Sequence, residues 1–322
     1  MKMNYTKFSL LTTMMLSILW CCSSNNLLST WISMEINLIC FLPMMKKSKK
    51  MNEQLMKYLI IQSVSSSTML MSMMISTMME TTIKESILMT TSMLTKMGMM
   101  PFHLWMPNIM QMLSWNMCIM MNTIQKIIPT IMISQCSSLK IMILPMIMSM
   151  IFSPIVGMKQ TTTKKLMAYS SISNSPLLIL ALNNSTKQFL LLFLIYSTMN
   201  ITMMMIFKKN NINSINQMYQ KSKLTKLSIL LTSLSMSGMP PTSGFMIKWM
   251  IIQSTMNFSI SMVITIIMSS ILSTYMYINM MIPSMMKSMK QKQKTNKNYS
   301  FLVLSMSLNL IMIPVMTLTT MN

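Results

Sequence analysis

Four side chains that carry charge in water sit inside otherwise apolar runs. Glu35 is central in TWISMEINLICFLP, Lys96 lies in SMLTKMGMMPF, Lys126 in MMNTIQKIIPTIMI, and Lys248 in GFMIKWMIIQ. Each costs roughly 2.5–3.5 kcal/mol at the centre of a membrane helix, so the four together cost on the order of 10 kcal/mol. Such a cost is sustained only where the groups face a paired or wet interior. The chemistry open to them there is proton exchange. Desolvation removes much of the ammonium's advantage over the neutral amine, so a lysine held out of water can trade a proton with a carboxylate or a hydrated group. A lysine near a span end can instead snorkel to the head groups, and a glutamate and a lysine can form a purely structural pair. Neither alternative accounts for three lysines and one glutamate on separate helices.

The elements that must position these groups are helices with built-in breaks. Three of the four glycines stand beside prolines inside apolar runs: Gly98 before Pro101, and Gly238 and Gly244 around Pro240 and Pro241. Proline removes a backbone donor and clashes with the preceding turn. At membrane depth, broken backbone is tolerated only where protein or water satisfies it. Lys96 precedes Gly98 by two residues and Lys248 follows Gly244 by four. Two interrupted helices, one in each half of the chain and each with a lysine close by, point to an inverted-repeat transporter with ion sites near the midplane. The expected interruptions fall near 98–107 and 238–244. His103, the sole histidine, sits in the first of them, where the expected role is structural, with hydration of the break as the alternative.

The chain has 322 residues, 52% hydrophobic and 9% charged, whereas a soluble domain carries about 25% charged residues. Apolar runs long enough to cross about 30 Å of hydrocarbon recur throughout. They give eleven expected spans, at 3–22, 25–45, 54–78, 87–110, 113–135, 139–158, 163–183, 187–208, 222–255, 258–282 and 299–320, in one integral membrane domain over 1–322. The lysines test this count. They cluster after spans two (Lys46, Lys47, Lys49, Lys50), six (Lys159, Lys164, Lys165), eight (Lys208, Lys209, Lys221, Lys223, Lys226) and ten (Lys287, Lys290, Lys292, Lys294, Lys297). The odd-numbered junctions are nearly bare, and the tight junction after span four carries none. Alternate loops therefore share one basic side, with the N-terminus on it and the uncharged tail opposite.

All 26 basic residues are lysine, against four glutamates and no aspartate. A net charge of +22 on a soluble fold would suggest nucleic acid, but no basic stretch interleaves with aromatics here, and anionic lipid head groups fit better. None of the five cysteines forms a CxxC pair, so metal or iron–sulfur ligation is not expected. No GxGxxG fingerprint or flavin site is present either, so no redox centre is expected in this chain. The first apolar run starts within a few residues and lacks a small-residue cleavage pattern, so no cleavable presequence is expected.

KMGMMPFHLWMP, LMAYSSIS and LSMSGMPPTSGFMIKW, with WISMEINLICFLP and TIQKIIP in the same order, resemble the NADH–ubiquinone oxidoreductase chain 2 family. These are the mitochondrially encoded, antiporter-like membrane subunits of respiratory complex I. The likeness covers essentially the whole chain. Methionine at 55 residues, with abundant Ser, Lys and Asn and no Arg, fits an AT-rich mitochondrial gene that reads ATA as Met and AGA as Ser. The resemblance implies an all-α, polytopic transmembrane bundle of about eleven helices, with antiporter-like inverted repeats and two interrupted helices. It implies that Glu35 and Lys96 are the glutamate–lysine pair, that Lys126 is the central lysine between two half-channels, and that Lys248 leads toward the next pumping subunit. It further implies an obligate hetero-oligomer with other membrane-arm subunits in the inner mitochondrial membrane, with lipid including cardiolipin around it and the lysine-rich loops on the matrix side. NADH, FMN, iron–sulfur clusters and ubiquinone would then be bound by partner subunits. Asn174 stands where relatives often carry histidine, Pro176 adds a possible kink, and Asn108 replaces a frequent acid. Those three departures put any auxiliary proton carrier at these places in doubt. A stand-alone cation/proton antiporter and a non-pumping scaffold subunit are the competing readings.

Overall fold

Serine, threonine and lysine inside apolar runs are compatible with helix only if their polar ends find partners along the helix or in its interior. The computed structural model describes residues 5–45, 49–78, 82–136, 139–240, 242–256 and 259–285, with single positions 303, 306 and 307. The expected span 299–320 lies outside the described residues apart from those positions, as do Pro241, Glu80 and the lysines at 287–297. Among the described residues the regular structure is helical, with a single isolated bridge between Thr162 and Ser214.

The chain divides into an N-terminal unit, Met1–Met148, and a C-terminal unit, Ser149–Asn322. The first holds α1 (Tyr5–Ser23), α2 (Leu27–Met45), α3 (Lys49–Met78), α4 (Thr82–Met97), α5 (Trp105–Met112), α6 (Trp115–Asn122) and α7 (Ile124–Cys136). Here α2 packs on α1 and α3, α3 packs on α4 and α5, and α7 touches α1, α2, α4 and α6. The boundary falls within α8 (Leu139–Met158). The second unit continues with α9 (Thr163–Asn184), α10 (Thr186–Lys209), a 3₁₀ turn η1 (Ile215–Gln220), α11 (Lys223–Ser237), α12 (Ser243–Thr255) and α13 (Ile260–Met285). In it α9, α10, α11 and α13 all pack against α12.

Among the described residues, seven segments are long and apolar enough to cross a membrane. Both units are inverted relative to a water-soluble fold: Leu144, Leu190, Leu194, Ile264 and Ile271 are exposed, while Lys96, Lys126 and Lys248 are buried. Lipid-facing leucine and isoleucine, with charge turned inward, is the arrangement a hydrocarbon solvent selects. α9 makes the point most sharply. Its stretch Leu166–Ser173 is buried throughout, and the Ser170, Ser171, Ser173 and Ser175 hydroxyls each donate to the carbonyl three residues back. This local bonding satisfies small polar groups without an external partner.

The breaks fall where glycine and proline place them, with one addition. α4 ends at Gly98 with φ +66°, and α11 ends at Gly238 with φ +78°. At both, the glycine N–H and the next N–H turn back onto the last helical turn: Gly98 to Thr95 and Met99 to Leu94, Gly238 to Ser235 and Met239 to Leu234. This is the Schellman arrangement, which needs a left-handed residue after the helix. The span expected at 113–135 is divided as well, at Thr123 (φ −117°, ψ −80°) between α6 and α7. No glycine or proline marks that site. The adjacent pair Asn122–Thr123, whose side chains compete for backbone groups, is the available signal.

The lysine-rich loops after α8 and after α10 are tied together. Thr163 N–H donates to the Asn213 carbonyl at 3.1 Å, Ile215 N–H to Thr161 at 3.0 Å, and the Thr163 hydroxyl to Ile212 at 3.0 Å. Two basic loops expected on one side are therefore in contact.

Candidate functional site

In the N-terminal unit, Lys96 sits on the last turn of α4, directly before the break, where carbonyls freed at the helix end favour a cation. It is 8% exposed, and its Nζ donates to Met34 Sδ at 3.5 Å. Glu35, the next residue on α2, exerts its charge on Lys96. Its Oε1 is buried without a hydrogen-bond partner. No direct hydrogen bond joins Glu35 to Lys96; the ammonium instead meets the sulfur of Met34, the residue before Glu35. The break itself is closed from the far side: Trp105, at the start of α5, donates its indole N–H to the Thr95 carbonyl at 3.0 Å. Pro101 is exposed, and His103 is half-buried with Nδ1 at 3.3 Å from the Pro101 carbonyl.

Lys126 is 2% exposed, one turn beyond the Thr123 break on α7. Lys96 and Lys126 line one cavity of about 520 Å³, together with Asn37, Tyr58, Gln62 and Gln125. Glu35 is not among its lining residues. Gln125 Nε2 donates to Asn37 Oδ1 at 3.1 Å, joining α7 to α2 beside Lys126. Phe41, Tyr58 and Trp105 form a row next to it, packed edge-on and tilted, with ring centroids 5.7 and 5.9 Å apart. A polar chamber carrying two amines, several amides and a phenol can hold water and pass protons along hydrogen bonds. Sequence reading found the lysines but not Asn37, Tyr58, Gln62 or Gln125. Glutamine, asparagine and tyrosine inside apolar helices were the available signal.

In the C-terminal unit, Lys248 on α12 turns inward. It is 8% exposed and donates to the Ser237 carbonyl at 2.7 Å and to Ser273 Oγ on α13 at 3.1 Å. Ser237 is the residue before Gly238, so the ammonium occupies a carbonyl that the break has released. Glycine is needed at 238 twice over. Its φ is left-handed, and a Cβ there would meet Lys248 Cδ at 3.0 Å, Cε at 3.1 Å and Nζ at 3.2 Å. Gly244 lets α12 lie against α11, since a Cβ there would run into the Ser235 carbonyl oxygen. Pro240 is exposed, and Pro241 lies outside the described residues. Lys248 lines a second cavity, of about 390 Å³, with Asn174, Tyr196, Met199, Ser235 and Gly244. Asn174, noted above as a departure, therefore faces the same chamber as the lysine. Among the described residues no group of three His, Cys, Asp or Glu side chains gathers as a metal set.

The chain can now be set beside known proteins. Residues 24–274 match the family model described as NADH:quinone oxidoreductase/Mrp antiporter, transmembrane. NADH-ubiquinone oxidoreductase chain 2 of Locusta migratoria is 33% identical over 85% of this chain and 84% of its own length. The protein of the same name from Bos taurus is 31% identical over 95% of each. Among solved structures, a chain of respiratory complex I from Thermus thermophilus shares the fold with a TM-score of 0.84 at 16% identity. That match covers 98% of this chain and 79% of the other. A chain of the Mrp complex from Dietzia aligns at a TM-score of 0.73 and 12% identity, over 90% and 62%.

Proposed function

The chain belongs to the NADH:quinone oxidoreductase/Mrp antiporter membrane family, among the NADH-ubiquinone oxidoreductase chain 2 sequences, and on that footing we propose that it translocates protons. The setting is the membrane arm of respiratory complex I in the inner mitochondrial membrane, where other subunits bind NADH, FMN, iron–sulfur clusters and ubiquinone. The lysine-rich loops face the matrix, and anionic lipid, cardiolipin included, contacts them. One observation carries the reading: three lysines are buried behind an apolar exterior, two in one polar cavity and the third on a carbonyl released by a broken helix. A structural bundle has no use for ammonium groups held at such cost.

In this scheme Glu35 sets the charge state of Lys96 from outside the cavity. A proton reaching Lys96 passes through the chamber of Asn37, Gln62 and Gln125 to Lys126, and Lys248 serves the later part of the route. The test is Glu35→Gln and Lys126→Met in the assembled complex, reconstituted into vesicles, with protons translocated per electron pair as the readout. Both variants should assemble and lower that ratio. An unchanged ratio overturns the role of the residue concerned. The likeness to an Mrp complex chain keeps an exchanger in view; sodium-for-proton exchange by the purified chain alone would establish that reading in place of complex I pumping.

A further inference from the structure

The second unit holds polar groups that the relay above does not use. Tyr196 on α10 and Tyr277 on α13 are 5% and 2% exposed, both deep in an apolar bundle. Buried serines in these helices bond their own backbone, but a phenol hydroxyl reaches too far for that. Ser170 of α9 stands within hydrogen-bonding reach of the Tyr277 hydroxyl, which among the described residues closes no well-aligned bond. Tyr196 neighbours Ser171 and Asn200 and interacts with Tyr277. Asn200 spends its amide N–H on the Tyr196 backbone carbonyl at 3.0 Å, and its Oδ1 is buried without a partner.

Two routes join this cluster to Lys248. The 390 Å³ cavity is lined by both Lys248 and Tyr196. Ser273, which accepts from Lys248, lies four residues before Tyr277 on the same face of α13. The cluster also lies toward the basic loops. Ser170 and Ser171 are seven and eight residues along α9 from Thr163, which is tied to the loop after α10. At 1.5 Å per residue that is about 11 Å.

From this juxtaposition, and resting on the proton-translocation reading, we infer that Tyr277 and Tyr196 form a proton branch between Lys248 and the lysine-rich side, entered through Ser273 and completed by water. Each hydroxyl takes a proton on its oxygen as it releases its own, and Lys248 passes from ammonium to amine. Only O–H and N–H bonds form and break, and no net charge stays on a phenol. Among the described residues the Tyr277 hydroxyl and the Asn200 oxygen close no well-aligned bond beyond these neighbours, and bound water would complete them.

The test uses the assembled complex in vesicles, with Tyr277→Phe, Tyr196→Phe and Ser273→Ala, and with Tyr275→Phe as control, since Tyr275 is exposed on the same helix. Removal of a positioned proton carrier should lower coupled turnover about tenfold or more, with the ring and the amount of complex retained. The tyrosine double variant should be no worse than either single one, because both lie on one branch. Ser273→Thr, which keeps the hydroxyl, should restore most of what Ser273→Ala loses. Normal proton translocation in both phenylalanine variants overturns the branch. If Tyr277→Phe fails to assemble, Tyr196→Phe and the Ser273 pair decide the matter. Lys248→Met separates the two levels: translocation lost there but intact in the tyrosine variants defeats the branch alone, whereas translocation intact in Lys248→Met defeats the relay beneath it.

Discussion

Replacing Lys248 by methionine separates a functional lysine from a structural clamp. The substitution removes the donor to the Ser237 carbonyl at 2.7 Å and to Ser273 Oγ at 3.1 Å. Loss of a hydrogen bond to a charged group costs about 1.5–3 kcal/mol. Against this, the buried ammonium itself costs roughly 2.5–3.5 kcal/mol at depth, a cost that a thioether does not carry. Methionine is unbranched and flexible, so it can follow the course of the lysine stem past Gly238. The two bonds together cost about 3–6 kcal/mol, so the net change runs from a loss of about 3.5 to a gain of about 0.5 kcal/mol. The expected outcome is a complex that assembles, with a thermal midpoint at or somewhat below the parent's, and that pumps poorly. The assays are the midpoint of the solubilised complex and protons per electron pair in vesicles. Full proton translocation at a lowered midpoint would show that Lys248 is retained only to hold the break together, and the argument for its proton role would fail.

Four further outcomes follow from single contacts. Gly244→Ala places a methyl on the Ser235 carbonyl oxygen, forcing α11 from α12, and should cost at least about 3 kcal/mol and prevent recovery of intact complex. Gly157→Ala meets the Met276 sulfur at 2.6 Å, which can rotate away, and Tyr169 Cβ at 3.3 Å, which must give slightly, so a cost of about 1–2 kcal/mol and normal recovery are expected. Trp105→Phe removes the indole bond to Thr95 and should lower stability by about 1 kcal/mol, measured as a thermal shift, with the aromatic row next to the cavity kept. Asn37→Leu strips Gln125 of its acceptor; it should cost about 1–3 kcal/mol and slow coupled proton transfer, read as turnover at a fixed proton gradient.

The helices and the two glycine breaks were legible because their causes are local. Apolar length sets a span, and a glycine followed by proline ends one. Gly98 and Gly238 were readable for that reason, and the structure adds their shared left-handed geometry. The Thr123 break was not legible, because no residue there forbids helix. The Asn122–Thr123 pair disfavours helix without forbidding it, too weak a mark to read from sequence spacing. The inward turn of Lys248 was likewise open, since a lysine four residues past a break can reach head groups as easily as a carbonyl. The Ser237 carbonyl decides it. The amides at 37, 62 and 125 were hidden for a different reason: each is unremarkable alone, and only the fold brings three helices' worth of them to one chamber.

The two breaks share a backbone motif yet are closed by different chemistry, and this contrast bears on what each can do. At the first, a carbonyl of the last turn of α4 accepts from an indole N–H, a donor that keeps its proton under all ordinary conditions. At the second, the last carbonyl of α11 accepts from an ammonium, a donor whose strength depends on whether it holds its third proton. The first closure is therefore constant through any transfer cycle, and Lys96 acts beside it without holding the helix shut. On the proposed relay, the second would weaken each time Lys248 gave up its proton, coupling proton occupancy to how tightly α12 is held at the end of α11. A scaffold would need only the constant kind. Two kinds of closure on one motif are what a chain needs when one break must stay fixed and the other must respond to charge.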